Sequence, residues 1–204
     1  VKYPYAVPSP IGGLILVEED AALVGVYHAC HSPEPSPAKL GTRFGPGGGE
    51  LPVRSAVEQA HVQLGQYFGG NRKTFDVPLI IIGTAFQLRV WEIVREIPYG
   101  ETRSYRDLAS ELGNPAMGRA IGAAIRANPL SMVIPGHRVV AAGGAVTGYA
   151  AGIEVKQFLL DLEAGRNTGG NRTRIVGCAG HHCCPASSDA DSDHAGPDRC
   201  AAFA

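Results

Sequence analysis

Apolar positions recur along this chain in short, punctuated runs whose period changes from segment to segment. Leu14-Ile15-Leu16-Val17 and Leu23-Val24-Gly25-Val26-Tyr27 flank the polar Glu18-Glu19-Asp20, so residues 1–28 are expected to open as a β-hairpin. Residues 31–52 are rich in Pro, carry Gly47-Gly48-Gly49 and hold little apolar content, which predicts a loop or linker. From Val53 to Phe68 the positions Val53, Val57, Ala60, Leu64, Tyr67 and Phe68 fall near one stripe at helical spacing, and Gly69-Gly70 ends that helix. Phe75 to Ile82 is a short apolar strand candidate. This order of elements predicts an N-terminal α+β domain over residues 1–80.

In the second half the stripes are helical and the breaks carry caps. Thr84-Ala85-Phe86-Gln87 is a capping-box pattern, in which a hydroxyl and an amide satisfy backbone groups left unpaired at a helix start. It opens a helix with Phe86, Val90, Trp91 and Val94 on one side. Pro98-Tyr99-Gly100-Glu101 is a turn, Ser104-Tyr105-Arg106-Asp107 opens the next helix in the same way, and Gly113 closes it. Asn114-Pro115 starts a third helix running to about Ala127, with Asn as N-cap and Pro at the first helical position. Two short helices joined by a Gly-containing turn form a helix-turn-helix. Ile153 to Glu163 makes a final helix, with Ile153, Phe158 and Leu162 in its buried face. Residues 81–165 are therefore expected to be a helical domain, and the fold class is α+β. Residues 166–204 hold few large apolar side chains and much Gly, Ser, Asp and Cys, too little to offset chain entropy, so this tail is expected to be disordered.

Composition narrows the function classes. No apolar run approaches the roughly 20 residues of a bilayer crossing, which argues against a membrane protein. With 18 Lys+Arg against 19 Asp+Glu, any nucleic-acid contact must come from a local patch. Val1-Lys2-Tyr3-Pro4 lacks the charged start and apolar core of a secretory signal. Of the five Cys, Cys30 stands apart while Cys178, Cys183, Cys184 and Cys200 crowd the tail, a poor disulfide framework, so the body is expected to be reduced and cytoplasmic. Cys178, His181, His182, Cys183 and Cys184 match no compact zinc frame, and no metal or cofactor is expected. Between Arg103 and Arg138 lie Arg103, Arg106, Arg119, Arg126 and Arg138 against only Asp107 and Glu111, the footprint of phosphate contact beside a helix-turn-helix. Gly118, Ala120, Gly122, Ala123 and Ala124 surround Arg119. Small residues let a helix approach nucleic acid closely, although by themselves they serve tight helix packing equally well.

Residues 128–163 then read Asn128-Pro129, Ile134-Pro135-Gly136-His137-Arg138-Val139-Val140, Thr147-Gly148-Tyr149-Ala150-Ala151-Gly152, Lys156 and Glu163. With Gly83-Thr84-Ala85-Phe86-Gln87, Val90-Trp91, Ile97-Pro98-Tyr99-Gly100-Glu101-Thr102 and Ser104-Tyr105, this segment strongly resembles the O6-alkylguanine-DNA alkyltransferase family, the methylated-DNA–protein-cysteine methyltransferases. The resemblance is dense over residues 80–165 and looser at Ser9-Pro10-Ile11-Gly12. It implies a monomer that binds double-stranded DNA containing O6-alkylguanine and acts beside other repair proteins. By the same resemblance Tyr105 would crowd the phosphate next to the target nucleotide, Arg119 would fill the vacated place in the base stack, and Arg126 and Arg138 would add DNA contacts. Val139, Gly148, Tyr149 and Ala150 would wall the base pocket, Asn128 would brace the turn behind it, and Glu163 would orient His137 as the water-mediated base.

One position departs from the family pattern. The hallmark Pro-Cys-His-Arg carries the Cys that accepts the alkyl group, and this chain has Gly136 there. Attack on a saturated carbon needs a soft nucleophile held in line, and glycine supplies none. The leading expectation is therefore a protein that flips and recognises O6-alkylguanine without removing the alkyl group. It resembles alkyltransferase-like proteins, although those often carry Trp at this position and lack the N-terminal domain. The alternative is a methylated-DNA–protein-cysteine S-methyltransferase in which Gly136 is a mutation or sequence error. A third reading is a degenerate paralogue that binds DNA without lesion preference.

Overall fold

The computed structural model describes residues 1–41 and 55–166. Over them the chain is α+β, a small antiparallel sheet with one long helix followed by a helical half. Strands β1 (Tyr3–Val7), β2 (Leu14–Glu19) and β3 (Ala22–His28) pair in the order β1-β2-β3. The expected hairpin is β2–β3, closed by Asp20 and Ala21 at φ of 51° and 58°, left-handed values that match the twist of the strands they join. A register shift at Val17/Glu18 interrupts the pairing. Every residue of β3 is buried, because Leu16, Leu23 and Val26 face the main core while Val17, Val24 and Tyr27 face a second cluster with Ile15, Leu40 and Ile80.

The linker expected over residues 31–52 contains one helical turn, α1 (Pro37–Leu40); residues 42–54 lie outside the described residues. Helix α2 (Ala56–Phe68) starts where Ser55 accepts a hydrogen bond from the Glu58 N–H, a cap worth about 1 kcal/mol. Glu18 of β2 accepts from the Val57 N–H, placing a carboxylate at the positive end of this helix. The strand expected from Phe75 to Ile82 does not form as a full strand. Leu23 reaches it through a single parallel bridge to Leu79, with hydrogen bonds to Pro78 and from Ile80. Pro78 has no N–H to donate to a ladder, which keeps this segment from extending the sheet.

Helix α3 (Ala85–Arg95) begins with the expected capping box of Thr84 and Gln87 and buries Val90, Trp91, Ile93 and Val94. The Trp91 indole N–H donates to the Ala124 carbonyl at 2.8 Å, tying α3 to the helix behind it. Strand β4 (Arg103–Ser104) leads into α4 (Tyr105–Glu111), and Gly113 closes that helix at φ 85°. The expected third helix is split: Asn114 caps a 3-10 turn, Pro115–Met117, and α5 (Gly118–Arg126) follows. A second 3-10 turn, Gly136–Arg138, runs into β5 (Val139–Val140), which pairs in parallel with β4.

Helix α6 (Ile153–Glu163) has the expected bounds but a different buried face. Ile153 is 52% exposed, and Val155, Lys156, Leu159 and Glu163 point inward. The apolar stripe pointed to one face, while two charged residues in fact lie inside. Cys30 is disulfide-bonded, which departs from the expected reduced body; the other four Cys, the expected tail beyond Arg166 and its zinc candidates fall outside the described residues. Among the described residues no helix is long and apolar enough to cross a membrane.

Candidate nucleic-acid interface and buried relay

The outer side of the helix-turn-helix carries the cations. Ser104 and Asp107 form a reciprocal capping box, which fixes Tyr105 as the first residue of α4. The Tyr105 ring is half-buried against the helix behind it, lying 3.8 Å from where a Cβ on Gly122 would stand. Burial raises the Tyr105 phenol above its ordinary value, opposed by a hydrogen bond with Thr147 and the nearby Arg126. Arg106, Arg119 and Arg126 are exposed. The other two arginines of the expected patch are spent within the protein. Arg103 pairs with Glu111 at 2.6 Å.

Arg138, expected from the sequence to add a DNA contact, is instead buried and paired within the protein. It is 6% exposed, donates from Nε to Glu163 Oε2 at 2.8 Å and from Nη2 to Glu163 Oε1 at 2.9 Å, and reaches the Ile97 carbonyl from Nη1 at 2.6 Å. A guanidinium cannot shed its proton, so it is buried only where a carboxylate neutralises it. Linear charge counting could not see that the partner lay at the far end of the last helix.

Glu163 collects the centre of the site. Besides Arg138 it accepts from His137 Nε2 at 2.8 Å, from the Tyr67 hydroxyl at 2.7 Å and from the Gly100 N–H at 3.0 Å. Burial alone would raise its carboxyl, but hydrogen bonds from His137 and Arg138 outweigh that and hold it well below the usual carboxylate range. Burial lowers the His137 imidazole, against the pull of Glu163, so the ring is neutral. With its Nε2–H donated to Glu163, the lone pair lies on Nδ1, which is buried and has no partner among the described residues.

The turn before His137 is held by Asn128, whose amide donates to the Ile134 carbonyl and accepts from the Leu130 N–H, both at 2.9 Å. Between these residues Met132 takes φ 70°, a left-handed conformation uncommon for a side chain of its size. Gly136 is buried, and its N–H donates to the Ile134 carbonyl. Its φ lies outside the left-handed region, so the backbone conformation by itself does not demand glycine. A Cβ would stand 2.9 Å from Ile125 Cγ2 and 3.9 Å from the Asn128 amide nitrogen.

Facing the relay is the 147–152 turn. Tyr149 meets the His137 ring edge-on at 6.4 Å and shares a hydrogen bond with Ser131; burial raises its phenol far above the ordinary value. Gly148 takes φ 39°, and Arg126 Nη2 comes within 3.8 Å of where its Cβ would be. Ala150 is buried and its carbonyl accepts from the Ser32 N–H at 2.8 Å. The Val139 carbonyl accepts from Lys156 Nζ at 2.6 Å, and the Thr147 carbonyl accepts from the same ammonium at 2.7 Å. Lys156 is fully buried, sits 5.8 Å from the Tyr105 ring centroid, and is lowered by burial from 10.5 to about 8.

The structure thus brings His137, Glu163, Asn128 and Gly136 together with Tyr149 beside the imidazole, joins Val139 to Thr147 through Lys156, sets Gly148 beside Arg126 and ties Ala150 to Ser32, and leaves Arg119 and Arg126 on the outer surface. Sequence reasoning missed Tyr67 and Lys156. Tyr67 was assigned to an apolar stripe, although a buried phenol needs a polar partner. Lys156 interrupts the inward face of α6, and a lysine there signals bound carbonyls.

Comparison with known proteins places the chain in a family. The family model of the 6-O-methylguanine DNA methyltransferase DNA binding domain matches residues 85–165. The methylated-DNA–protein-cysteine methyltransferase of Mycolicibacterium paratuberculosis is 43% identical over 157 residues, covering 77% of this chain and 89% of that protein. Its counterpart from Methanosarcina acetivorans is 50% identical over 105 residues, covering 52% of this chain and 67% of that protein. Among solved structures, Mycobacterium tuberculosis OGT in complex with DNA superposes with a TM-score of 0.70 at 36% identity, covering 85% of this chain and 98% of that one. Both halves of the fold are matched as well as the relay's own segment, and the chain belongs to the O6-methylguanine DNA methyltransferase family of DNA-repair proteins.

Proposed function

We propose that this chain carries the site of a methylated-DNA–protein-cysteine S-methyltransferase in which one residue, the acceptor, has been replaced by Gly136. The observation that carries this reading is the intact buried relay. His137 keeps a free lone pair on Nδ1, burial and the nearby Arg138 favour the neutral imidazole against the pull of Glu163, and the backbone at Gly136 lies outside the left-handed region. The methyltransferases matched above over most of their length support it further. In this reading Tyr105 crowds the phosphate beside the lesion, Arg119 occupies the vacated stack, Arg126 holds the backbone, and the pocket formed by Val139, Gly148, Tyr149 and Ala150 receives the flipped base. Flipping costs a few kcal/mol and least for a poorly paired base, which contributes selectivity for O6-alkylguanine in double-stranded DNA. With Gly136 in place the chain binds and extrudes the lesion but forms no sulfur–carbon bond.

A dedicated lesion-recognition role is the second reading, and one observation favours it. Ile125 Cγ2 lies closer to the missing Cβ than side chains normally approach, so the neighbourhood has settled around a glycine. Incubation with O6-methylguanine duplex followed by intact mass separates the two. The chain as it stands should gain nothing, and Gly136→Cys should gain one methyl group. A folded Gly136→Cys that stays unmodified overturns the methyltransferase reading. Equal affinity of the unmodified chain for damaged and undamaged duplex overturns lesion recognition.

A further inference from the structure

We propose that Tyr67, on the N-terminal helix α2, is a positioning residue of the His137 relay, its hydroxyl setting how firmly Glu163 holds the imidazole. The inference rests on reading His137 as the base that serves a nucleophile at position 136.

Tyr67 is fully buried, and its hydroxyl lies 2.7 Å from Glu163 Oε1 and 3.4 Å from His137 Nε2. That same oxygen takes the His137 Nε2–H at 2.8 Å and the Arg138 Nη2–H at 2.9 Å. A carboxylate oxygen offers about two lone-pair sites, so three donors compete for them. The ring of Tyr67 is packed by Phe68, Phe75 and Tyr99 at centroid distances of 5.5, 5.5 and 6.1 Å, a setting that a phenylalanine would fill equally well. Packing therefore explains the ring but not the hydroxyl, which is dry and costs free energy unless it has a partner. Its partner is the residue that orients His137. The charged and titratable groups facing the imidazole are Glu163 and Lys156 from α6, Arg138 beside it, Tyr149 from the 147–152 turn, and Tyr67, the contribution from the N-terminal half.

Removing the hydroxyl leaves Glu163 less satisfied, so its pull on the imidazole strengthens. In the full chain, Tyr67→Phe should raise the His137 titration midpoint by about one pH unit and move its Nε2–H resonance downfield in ¹⁵N-edited NMR. A folded variant with the unmodified chain's midpoint and resonance overturns the proposal. Site-specific 3-fluorotyrosine at position 67 keeps the ring and sharpens the donor, so the midpoint should fall; no movement also overturns it. In a Gly136→Cys background, Tyr67→Phe should slow alkyl transfer about tenfold and displace its pH profile, and an undisplaced profile counts against Tyr67. Failure of Gly136→Cys itself to transfer, with the imidazole still responding to position 67, would sink the methyltransferase reading and leave the positioning role standing.

Discussion

Arg138→Met tests whether the third residue of the Gly136-His137-Arg138 run belongs to the protein interior or to DNA. The substitution keeps much of the side-chain volume and removes three hydrogen bonds, two to Glu163 and one to the Ile97 carbonyl. Because the partner carboxylate is buried, the loss resembles breaking an interior ion pair, about 3–5 kcal/mol. For a chain of this size that lowers Tm by about 6–20 °C. The deficit should depend on pH in a defined sense. In the unmodified chain the Glu163 carboxyl is depressed, so its stabilising contribution is present above the unfolded carboxylate range and is lost as pH falls through the folded value. In Arg138→Met the same carboxyl keeps His137, Tyr67 and the Gly100 N–H but loses the guanidinium, so its folded value moves up toward the unfolded one and this contribution shrinks. The gap between the two proteins should therefore narrow as pH falls through the carboxylate range. Urea unfolding at neutral and acidic pH measures this, and DNA affinity against salt provides the counter-measurement. If Arg138→Met unfolds like the parent but flattens the salt dependence of binding, Arg138 touches phosphate and the buried assignment is wrong.

Arg119→Ala removes an exposed cation on the outer helix, so it should leave Tm unchanged and reduce the slope of log K against log salt by about 0.9 if the side chain meets one phosphate. An unaltered slope would remove Arg119 from the interface. Lys156→Met strips the ammonium from the Val139 and Thr147 carbonyls and should destabilise the fold by about 1–3 kcal/mol through unpaired buried acceptors. The Lys156 ammonium is depressed to about 8 from 10.5, so the unfolded chain binds more protons between those values. The unmodified chain should accordingly gain stability from this group as pH rises through that window, and Lys156→Met should lack the gain. Identical pH slopes in the two proteins would contradict the assignment.

The local elements were legible wherever a cap or a period acted alone. Thr84 with Gln87 and Ser104 with Asp107 close the boxes that their spacing predicts, and Asn114 caps the turn that leads into α5. What escaped was long-range polar pairing. The resemblance set Glu163 behind His137, but Arg138 reads as part of a basic patch, and its pairing with that same carboxylate inside the protein escaped. Tyr67 reads as one more apolar position, and its significance depends on a residue 96 places away. The Phe75–Ile82 strand failed for a related reason: apolar content marks it for burial, and Pro78 limits how it can pair. Periodicity reports which face is inside but not which polar groups meet there.

The short parallel pairing of β4 with β5 has a mechanical consequence. Arg103 and Ser104, immediately before Tyr105, are laddered to Val139 and Val140, immediately after the 136–138 turn. The segment that would meet the duplex in the proposed function and the turn that carries position 136 are thus tied directly to one another by this pair of strands. Under the proposed function, docking on the duplex and seating of an extruded nucleotide would be coupled through this pair of strands, and the nucleic acid would take up the bending.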